Sequence, residues 1–174
     1  MSLSMNEYTL LKLINEKDLL NKKISSFLKK KILVKQNMDV EEIRGHIQKS
    51  DHNLRFIAEN FKLGFYDWVI TGCYYACYHC ALALILSKAY SSKNHLATLC
   101  ILISEFYASE LNEIDIQFLS DLLNYQDILF YVESKNEREK ASYSSKLSFK
   151  KADVEQLKIK TILFVNKIKN ILDK

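Results

Sequence analysis

Three cysteines in an uncharged stretch are the first residues whose spacing suggests chemistry. Cys73, Cys77 and Cys80 form the pattern C-x3-C-x2-C, and Cys100 follows them. This spacing is compatible with an iron–sulfur cluster, with a metal site on one helix face, or with a redox-active C-x-x-C pair. Enzymes that hold an iron–sulfur cluster with this spacing carry the three cysteines on a loop, whereas these cysteines lie within a continuous helical pattern. We therefore expect cysteine to act here as a small, reduced, apolar core residue, with no metal and no cofactor.

Histidine and arginine are the next candidates, because they move protons and bind phosphate. The four histidines are His46, His52, His79 and His95. The three arginines are Arg44, Arg55 and Arg138. The formal net charge of +4 is too small to indicate nucleic acid by itself. We expect His79 to be a hydrogen-bonded core histidine. His95 lies at the start of a predicted helix, where its side chain either caps the helix and packs against the core or contacts a phosphate.

The elements that must position these residues are helices. The 174 residues include no proline and only three glycines, which excludes collagenous, low-complexity and turn-rich all-β chains. Asp39 is a plausible N-cap and Gly64 a natural helix stop. Apolar periodicity predicts helices, and no credible strand, over residues 8–33 (one or two helices), 40–62, 66–90, 95–111, 114–132 and 150–172.

The helix predicted over residues 66–90 is unusual in its lack of charge. From Trp68 to Ser87 there are twenty residues without Asp, Glu, Lys or Arg, which is about the length of a membrane span. Its centre, however, carries three tyrosines and a histidine, which prefer an interface to a hydrocarbon core. The flanking helices are amphipathic and need an apolar element to surround. We therefore expect a buried central helix and no membrane.

The sequence resembles the HEPN family in four segments that occur in the family's order. Residues 65–85 (FYDWVITGCYYACYHCALALI) are similar to the family's signature helix. Lys93-Asn94-His95 resembles the step that opens its next helix. Arg138 to Tyr143 (REKASY) is similar to its R-x-x-A-D-Y turn, with Ser142 in place of the acidic residue, and Leu147 to Ala152 resembles the start of its last helix. The resemblance extends over residues 51–172.

This resemblance implies a fold, a partner and a chemistry. The implied fold is all-α, an up-and-down bundle of four to five core helices, here with an extra N-terminal helix. HEPN proteins are usually homodimers and are often paired with a small nucleotidyltransferase as toxin and antitoxin. Many are metal-independent ribonucleases that use an arginine followed, after four to six residues, by a histidine.

This sequence departs from the ribonuclease pattern. One residue separates Arg44 from His46, and seven separate it from His52. Neither Arg55 nor Arg138 has a histidine at the required distance downstream. We therefore expect a protein that binds RNA, a nucleotide or a protein partner, without the standard ribonuclease motif. The alternative is a divergent metal-independent ribonuclease toxin whose acid and base residues lie elsewhere.

The candidate ligand-binding residues are Arg138, Tyr143, His95 and Tyr75. Arg138 either binds phosphate or forms a salt bridge, and Tyr143 either stacks on a base or packs. We expect residues 1–38 to form an N-terminal helical extension, in which residues 1–3 are set aside as a possible vector remnant, and residues 39–174 to form the bundle. No signal peptide is recognisable, so we expect a cytoplasmic protein.

Overall fold

The computed structural model describes residues 7–124 and 149–174. Within these residues the chain is a helical bundle, which confirms the predicted all-α class. Its helices are α1 (Glu7–Asn15), α2 (Lys17–Lys29), α3 (Val40–Leu63), α4 (Tyr66–Leu86), α5 (His95–Phe106), α6 (residues 113–124, as far as it is described) and α7 (Lys151–Leu172). Two short strands are β1 (Leu33–Lys35) and β2 (Tyr90–Ser92).

The strands correct the expectation that the chain contains none. They pair antiparallel, with Leu33 opposite Ser92 and Lys35 opposite Tyr90. The helix predicted to reach residue 90 ends at Leu86 instead, because Ala89 adopts the left-handed conformation with φ of 62°. The backbone of Ala89 then accepts a hydrogen bond from the Gln36 amide. A pairing this short has no period that a sequence pattern could reveal.

Several helix ends follow local signals that the sequence carries. The Asp39 carboxylate accepts hydrogen bonds from the backbone amides of Glu41 and Glu42, and so caps α3 as predicted. Gly64 ends α3 with φ of 79°, a conformation that costs glycine little. Asn94 caps α5 by accepting a hydrogen bond from the Ala97 amide.

One predicted boundary between α5 and α6 is wrong. The helix expected to extend to residue 111 ends at Phe106, and Ala108 has φ of 66°. Asn112 and Asp115 then exchange hydrogen bonds between side chains and amides, in the manner of a capping box that starts α6. The apolar Leu111 is buried, so periodicity alone favoured a continuous helix.

Helix α4 lies at the centre of the bundle. It packs against α3 along its length, against α7 on a second side and against α5 on a third. By length and composition it is the one described helix that could cross a membrane, with a mean hydropathy of 1.6, but 72% of that apolar window is buried inside the bundle. Its lack of charge is therefore explained by burial among amphipathic neighbours.

Close approach of α3 and α4 depends on Gly72. A Cβ atom at this position would lie 2.7 Å from Cγ1 of Ile57 and 3.2 Å from Cδ1 of Phe56. A second contact between α3 and α4 lies further along both helices, where the Ser50 hydroxyl donates a 2.8 Å hydrogen bond to the Ala76 carbonyl. These contacts set the spacing of the two helices that carry the candidate site.

The N-terminal helices contribute to the same core as the rest of the bundle. Leu10 and Leu13 of α1 and Leu20 of α2 are almost fully buried, and α2 packs on α5. The predicted division of the chain at residue 38 stays a prediction.

Candidate functional site

Two of the four predicted ligand-binding residues, His95 and Tyr75, meet at one place in the fold. Both contact the ring of Tyr74, with ring centroids 5.7 Å and 4.8 Å away respectively. The other two, Arg138 and Tyr143, lie outside the described residues. We call the connected set of aromatic and imidazole side chains at this place the ring cluster, and its members are His46, Tyr74, Tyr75, Tyr78, His79 and His95.

Helix geometry explains why one helix supplies four of the six rings. Residues three and four apart lie on the same face of a helix, so Tyr74 stands next to Tyr78 and Tyr75 stands next to His79. The rings of Tyr74 and Tyr78 stack at 5.7 Å, and those of Tyr75 and His79 stack at 6.4 Å. Two adjacent rows of rings therefore run along α4.

The buried end of the ring cluster is formed by Tyr74, Tyr78 and His95. The Tyr74 hydroxyl and Nε2 of His95 are 3.0 Å apart and form a hydrogen bond. The imidazole of His95 also meets the Tyr78 ring edge-on at 4.9 Å. Burial raises the pKa of Tyr78, with the Thr98 hydroxyl acting in the opposite direction. In this arrangement His95 packs against the aromatic core, which is one of the two roles expected for it.

The opposite end contains the two histidines that face each other, His46 on α3 and His79 on α4. Their Nδ1 atoms are 2.9 Å apart and their ring centroids 5.1 Å apart. Both side chains are half-buried. His79 therefore has the hydrogen-bond partner that we expected, but it lies at the edge of the core.

Both of these imidazoles resist protonation. Burial lowers the pKa of His79 to about 4, and the neighbouring His46 and the Lys49 ammonium contribute in the same direction. The pKa of His46 is also lowered, mainly by burial and further by Lys49, while the Glu42 carboxylate opposes the shift. The pair is therefore neutral at physiological pH, and each ring keeps a nitrogen lone pair.

Exposed aromatic residues continue the surface beyond the ring cluster. Tyr75 is 43% exposed, and Trp68, two turns earlier on α4, is 54% exposed. Trp68 meets Phe56 of α3 edge-on at 6.4 Å. The side of the α3–α4 hairpin that carries Phe56, Trp68 and Tyr75, which we call the aromatic face, thus presents ring surface to solvent.

The four cysteines do not contribute to this face. All are buried and free, and burial raises the pKa of Cys73 and Cys80 to about 11 and that of Cys100 to about 12. The pKa of Cys77 is also raised well above its ordinary value. Because the thiolate is the form that binds metals and attacks disulfides, such thiols are poor ligands and poor nucleophiles. They pack as small apolar groups, as the sequence predicted.

Two grooves among the described residues lie elsewhere, between α6 and α7, with volumes of about 520 and 660 Å³. Both are lined by Phe118, Asp121 and Lys160. The described residues that line them include no histidine, tyrosine, arginine or cysteine. The ionisable side chains that line these grooves are carboxylates and lysines, whereas imidazole and phenol side chains converge at the ring cluster. Groups of the second kind can stack on a base, and imidazole can exchange protons near neutral pH, so chemistry favours the ring cluster.

Sequence reasoning missed the role of His46. It comes 33 residues before His79, and only the antiparallel packing of α3 on α4 brings the two together. A weak signal was available, because His46 follows the apolar Ile43 by three residues and therefore lies near the same face of its helix.

Comparison with known proteins agrees with this architecture. The model of the HEPN domain matches residues 43–171 of this chain. A protein of Methanocaldococcus jannaschii named "Putative toxin MJ0142" is 30% identical over 131 residues, which cover 75% of this chain and 82% of that protein. The family match covers most of the chain and includes α4 with the ring cluster, so this chain belongs to the HEPN family.

Proposed function

We propose that this chain is a toxin-like HEPN protein that binds RNA through the aromatic face and the adjoining ring cluster. The observation that carries the proposal is the exposure of Trp68 and Tyr75 on one side of α4, next to a pair of neutral imidazoles. The similarity to a protein named as a toxin supports the toxin-like part.

Single-stranded RNA suits this surface because its bases are free to stack. A base stacked on an aromatic side chain contributes about 1–3 kcal/mol, with little dependence on sequence. Trp68 and Tyr75 are half-exposed, so their rings are supported by the helix and still present area to a ligand. Lys49, which is exposed near the histidine pair, supplies a positive charge for the phosphate backbone.

Binding fits this site better than cleavage does. A general acid must carry a proton near neutral pH, whereas the lowered pKa of both His46 and His79 leaves little imidazolium there. Arg44, the arginine nearest to the pair in sequence, is exposed and pairs with Glu41 on its own helix. The proposed protein therefore lacks the standard ribonuclease constellation, and the divergent ribonuclease remains the alternative to test.

We further propose that the protein acts in the cytoplasm as a homodimer and that a nucleotidyltransferase-type protein neutralises it. Growth arrest on expression, relieved by co-expression of a short nucleotidyltransferase encoded in the neighbouring gene, would support this arrangement. Light scattering of the purified protein should give twice the mass of the 20.4 kDa chain. Growth arrest that persists in the presence of that partner would contradict the neutralisation. A monomeric mass would contradict the homodimer.

Trp68 provides a direct assay for RNA binding because it is the only tryptophan in the sequence. Titration of a single-stranded oligoribonucleotide at low salt should quench its fluorescence, since a nucleobase stacked on the indole ring quenches the excited state of indole directly. Fluorescence anisotropy of a labelled RNA should report the same affinity. Tyr75→Ala should weaken binding about 5- to 160-fold, as expected from the loss of one stacking contact worth about 1–3 kcal/mol. Affinity should also fall as salt is raised.

The matched control is Leu163→Ala, which removes an exposed apolar side chain from α7, where it is 64% exposed. This variant should bind RNA like the wild type. Equal losses for Tyr75→Ala and Leu163→Ala, or no quenching of Trp68 at any RNA concentration, would refute the proposal. Gel analysis of the same RNA after long incubation separates binding from cleavage, because a ribonuclease would shorten it.

A further inference from the structure

The histidine pair places two imidazole nitrogens at a distance that suits a shared metal ion as well as a hydrogen bond. His46 and His79 come from different helices, and their Nδ1 atoms lie 2.9 Å apart. The two rings are tilted by 37° and are not stacked face to face. In the hydrogen bond one Nδ1–H donates to the lone pair of the other Nδ1. When that proton moves to Nε2 of its own ring, both Nδ1 atoms carry lone pairs and can bind one cation together.

We propose that His46 and His79 form a two-imidazole site for a divalent transition-metal cation, of the class of Ni²⁺, Cu²⁺ and Zn²⁺. A metal–nitrogen distance of about 2.1 Å places two ligand nitrogens about 3.0 Å apart at a right angle and about 3.4 Å apart at the tetrahedral angle. The observed 2.9 Å matches the right angle of square-planar or octahedral coordination. Imidazole is a ligand that suits all three cations.

The surrounding packing holds the two ligands in place before any cation arrives. Ser50, one turn after His46, donates a hydrogen bond of 2.8 Å to the carbonyl of Ala76, almost one turn before His79. The Cys80 thiol donates to the same Ser50 hydroxyl at 3.1 Å. These buried bonds fix the distance between α3 and α4 next to the pair. Little ordering is therefore needed on binding, which favours affinity.

The charge state and exposure of the pair also suit a cation. Metal binds the neutral imidazole, which is the main form of histidine above its ordinary pKa of about 6.5. Both side chains are only partly buried, so water can complete the coordination. Among the described residues no group of three or more His, Cys, Asp and Glu side chains could hold a metal ion. We therefore expect weaker binding than at a structural zinc site with four protein ligands.

Two charged neighbours make opposite and testable contributions. The Glu42 carboxylate, one turn before His46 on α3, favours positive charge at the pair, whereas the Lys49 ammonium disfavours it. Replacing Glu42 by Gln should therefore weaken cation binding, and replacing Lys49 by Gln should strengthen it. Adventitious binding at other surface groups would not respond to both changes with these signs.

The experiment is calorimetric titration of the untagged, reduced protein with Ni²⁺ and with Zn²⁺ at pH 7.5. One cation should bind per chain, and His46→Gln and His79→Gln should each lower the affinity at least tenfold. The matched control is His52→Gln, which changes an exposed histidine on the same helix and should bind like the wild type. The absorption spectrum of the Co²⁺ complex should show nitrogen and oxygen ligands and no sulfur-to-metal charge transfer.

Several results would overturn the proposal. One is wild-type affinity no higher than that of the double variant His46→Gln/His79→Gln. Another is equal loss in His52→Gln, and a third is a thiolate signature in the Co²⁺ spectrum, which would move the site to the cysteines. Circular dichroism of each variant confirms that it is folded, so a loss of affinity is assigned to the ligand. The RNA titration is carried out without metal, and its outcome is therefore independent of this one.

Discussion

The three glycines of the chain occupy three different environments, and Gly72 provides the sharpest test of the fold. Replacing Gly72 by Ala places a Cβ atom 2.7 Å from Cγ1 of Ile57 and 3.2 Å from Cδ1 of Phe56. Both distances are shorter than ordinary van der Waals contact, so α3 and α4 must separate or Ile57 must leave its rotamer. Overpacking of this kind costs about 1–3 kcal/mol of unfolding free energy.

Gly45 on α3 is the matched control. It also lies inside a helix, but a Cβ atom there has no atom outside its own helix within 4 Å. Alanine stabilises a helix interior by about 0.5–1 kcal/mol relative to glycine, and this gain applies to both positions. The free energies of unfolding of Gly72→Ala and Gly45→Ala should therefore differ by the overpacking cost alone, about 1–3 kcal/mol.

Urea denaturation followed by circular dichroism measures this difference directly. In a chain of this length, each kcal/mol also shifts the melting temperature by about 2–4 °C. A double variant isolates the main cause, since Ile57→Ala removes the nearest atom, Cγ1 of Ile57, and leaves the Phe56 ring atom at 3.2 Å. In that background Gly72→Ala should destabilise the protein much less than it does in the wild type. If Gly72→Ala is as stable as Gly45→Ala in the wild-type background, the close packing of α3 on α4 described here is wrong.

Four further predictions test the core, the caps and the histidine pair. Thr161→Val should raise the free energy of unfolding by up to about 1 kcal/mol, because its buried hydroxyl lies beside the weakly hydrogen-bonding thiols of Cys73 and Cys77 and lacks an oxygen or nitrogen partner of standard geometry. A loss of stability on chemical denaturation would contradict this. Asp39→Ala should lower the free energy of unfolding by about 1 kcal/mol through loss of the α3 cap, whereas Asp39→Asn should leave it almost unchanged in the same assay. A thiol reagent at pH 7.5 should label no cysteine in the native protein and four after unfolding, and rapid native labelling would show that the described burial is wrong. The free energy of unfolding should fall as the pH drops from about 6.5 toward 4, because His46 and His79 bind protons in the unfolded chain and resist them in the folded one. In denaturation curves measured across that range, His79→Gln should show a weaker dependence on pH.

Local chemistry in the sequence determined most of the helical architecture. Asp39 and Gly64 mark the ends of α3 because a carboxylate accepts amide hydrogen bonds and glycine tolerates positive φ, and both effects act within one turn of the chain. The uncharged segment from Trp68 to Ser87 indicated the central helix, since only full burial explains so many apolar residues among amphipathic neighbours. The burial of the cysteines follows from the same argument.

Tertiary structure decided where the helices around β2 and α6 begin and end. Ala89 and Ala108 adopt positive φ, a conformation that alanine avoids unless the surrounding packing imposes it. The pairing of β1 with β2 joins residues almost sixty positions apart, so no local pattern announces it. Periodicity reports which face of a segment is apolar, but not where packing interrupts the segment.

The candidate site also depends partly on local sequence and partly on tertiary structure. Tyr75 and His95 were recognisable from sequence as residues that a ligand could reach, because their types and helix positions are local properties. The meeting of His46 with His79 was not, since it depends on the antiparallel register of α3 and α4 that Gly72 and the Ser50 hydrogen bond establish. A sequence determines which side chains are available, whereas the close approach of two helices decides which of their atoms come within bonding distance.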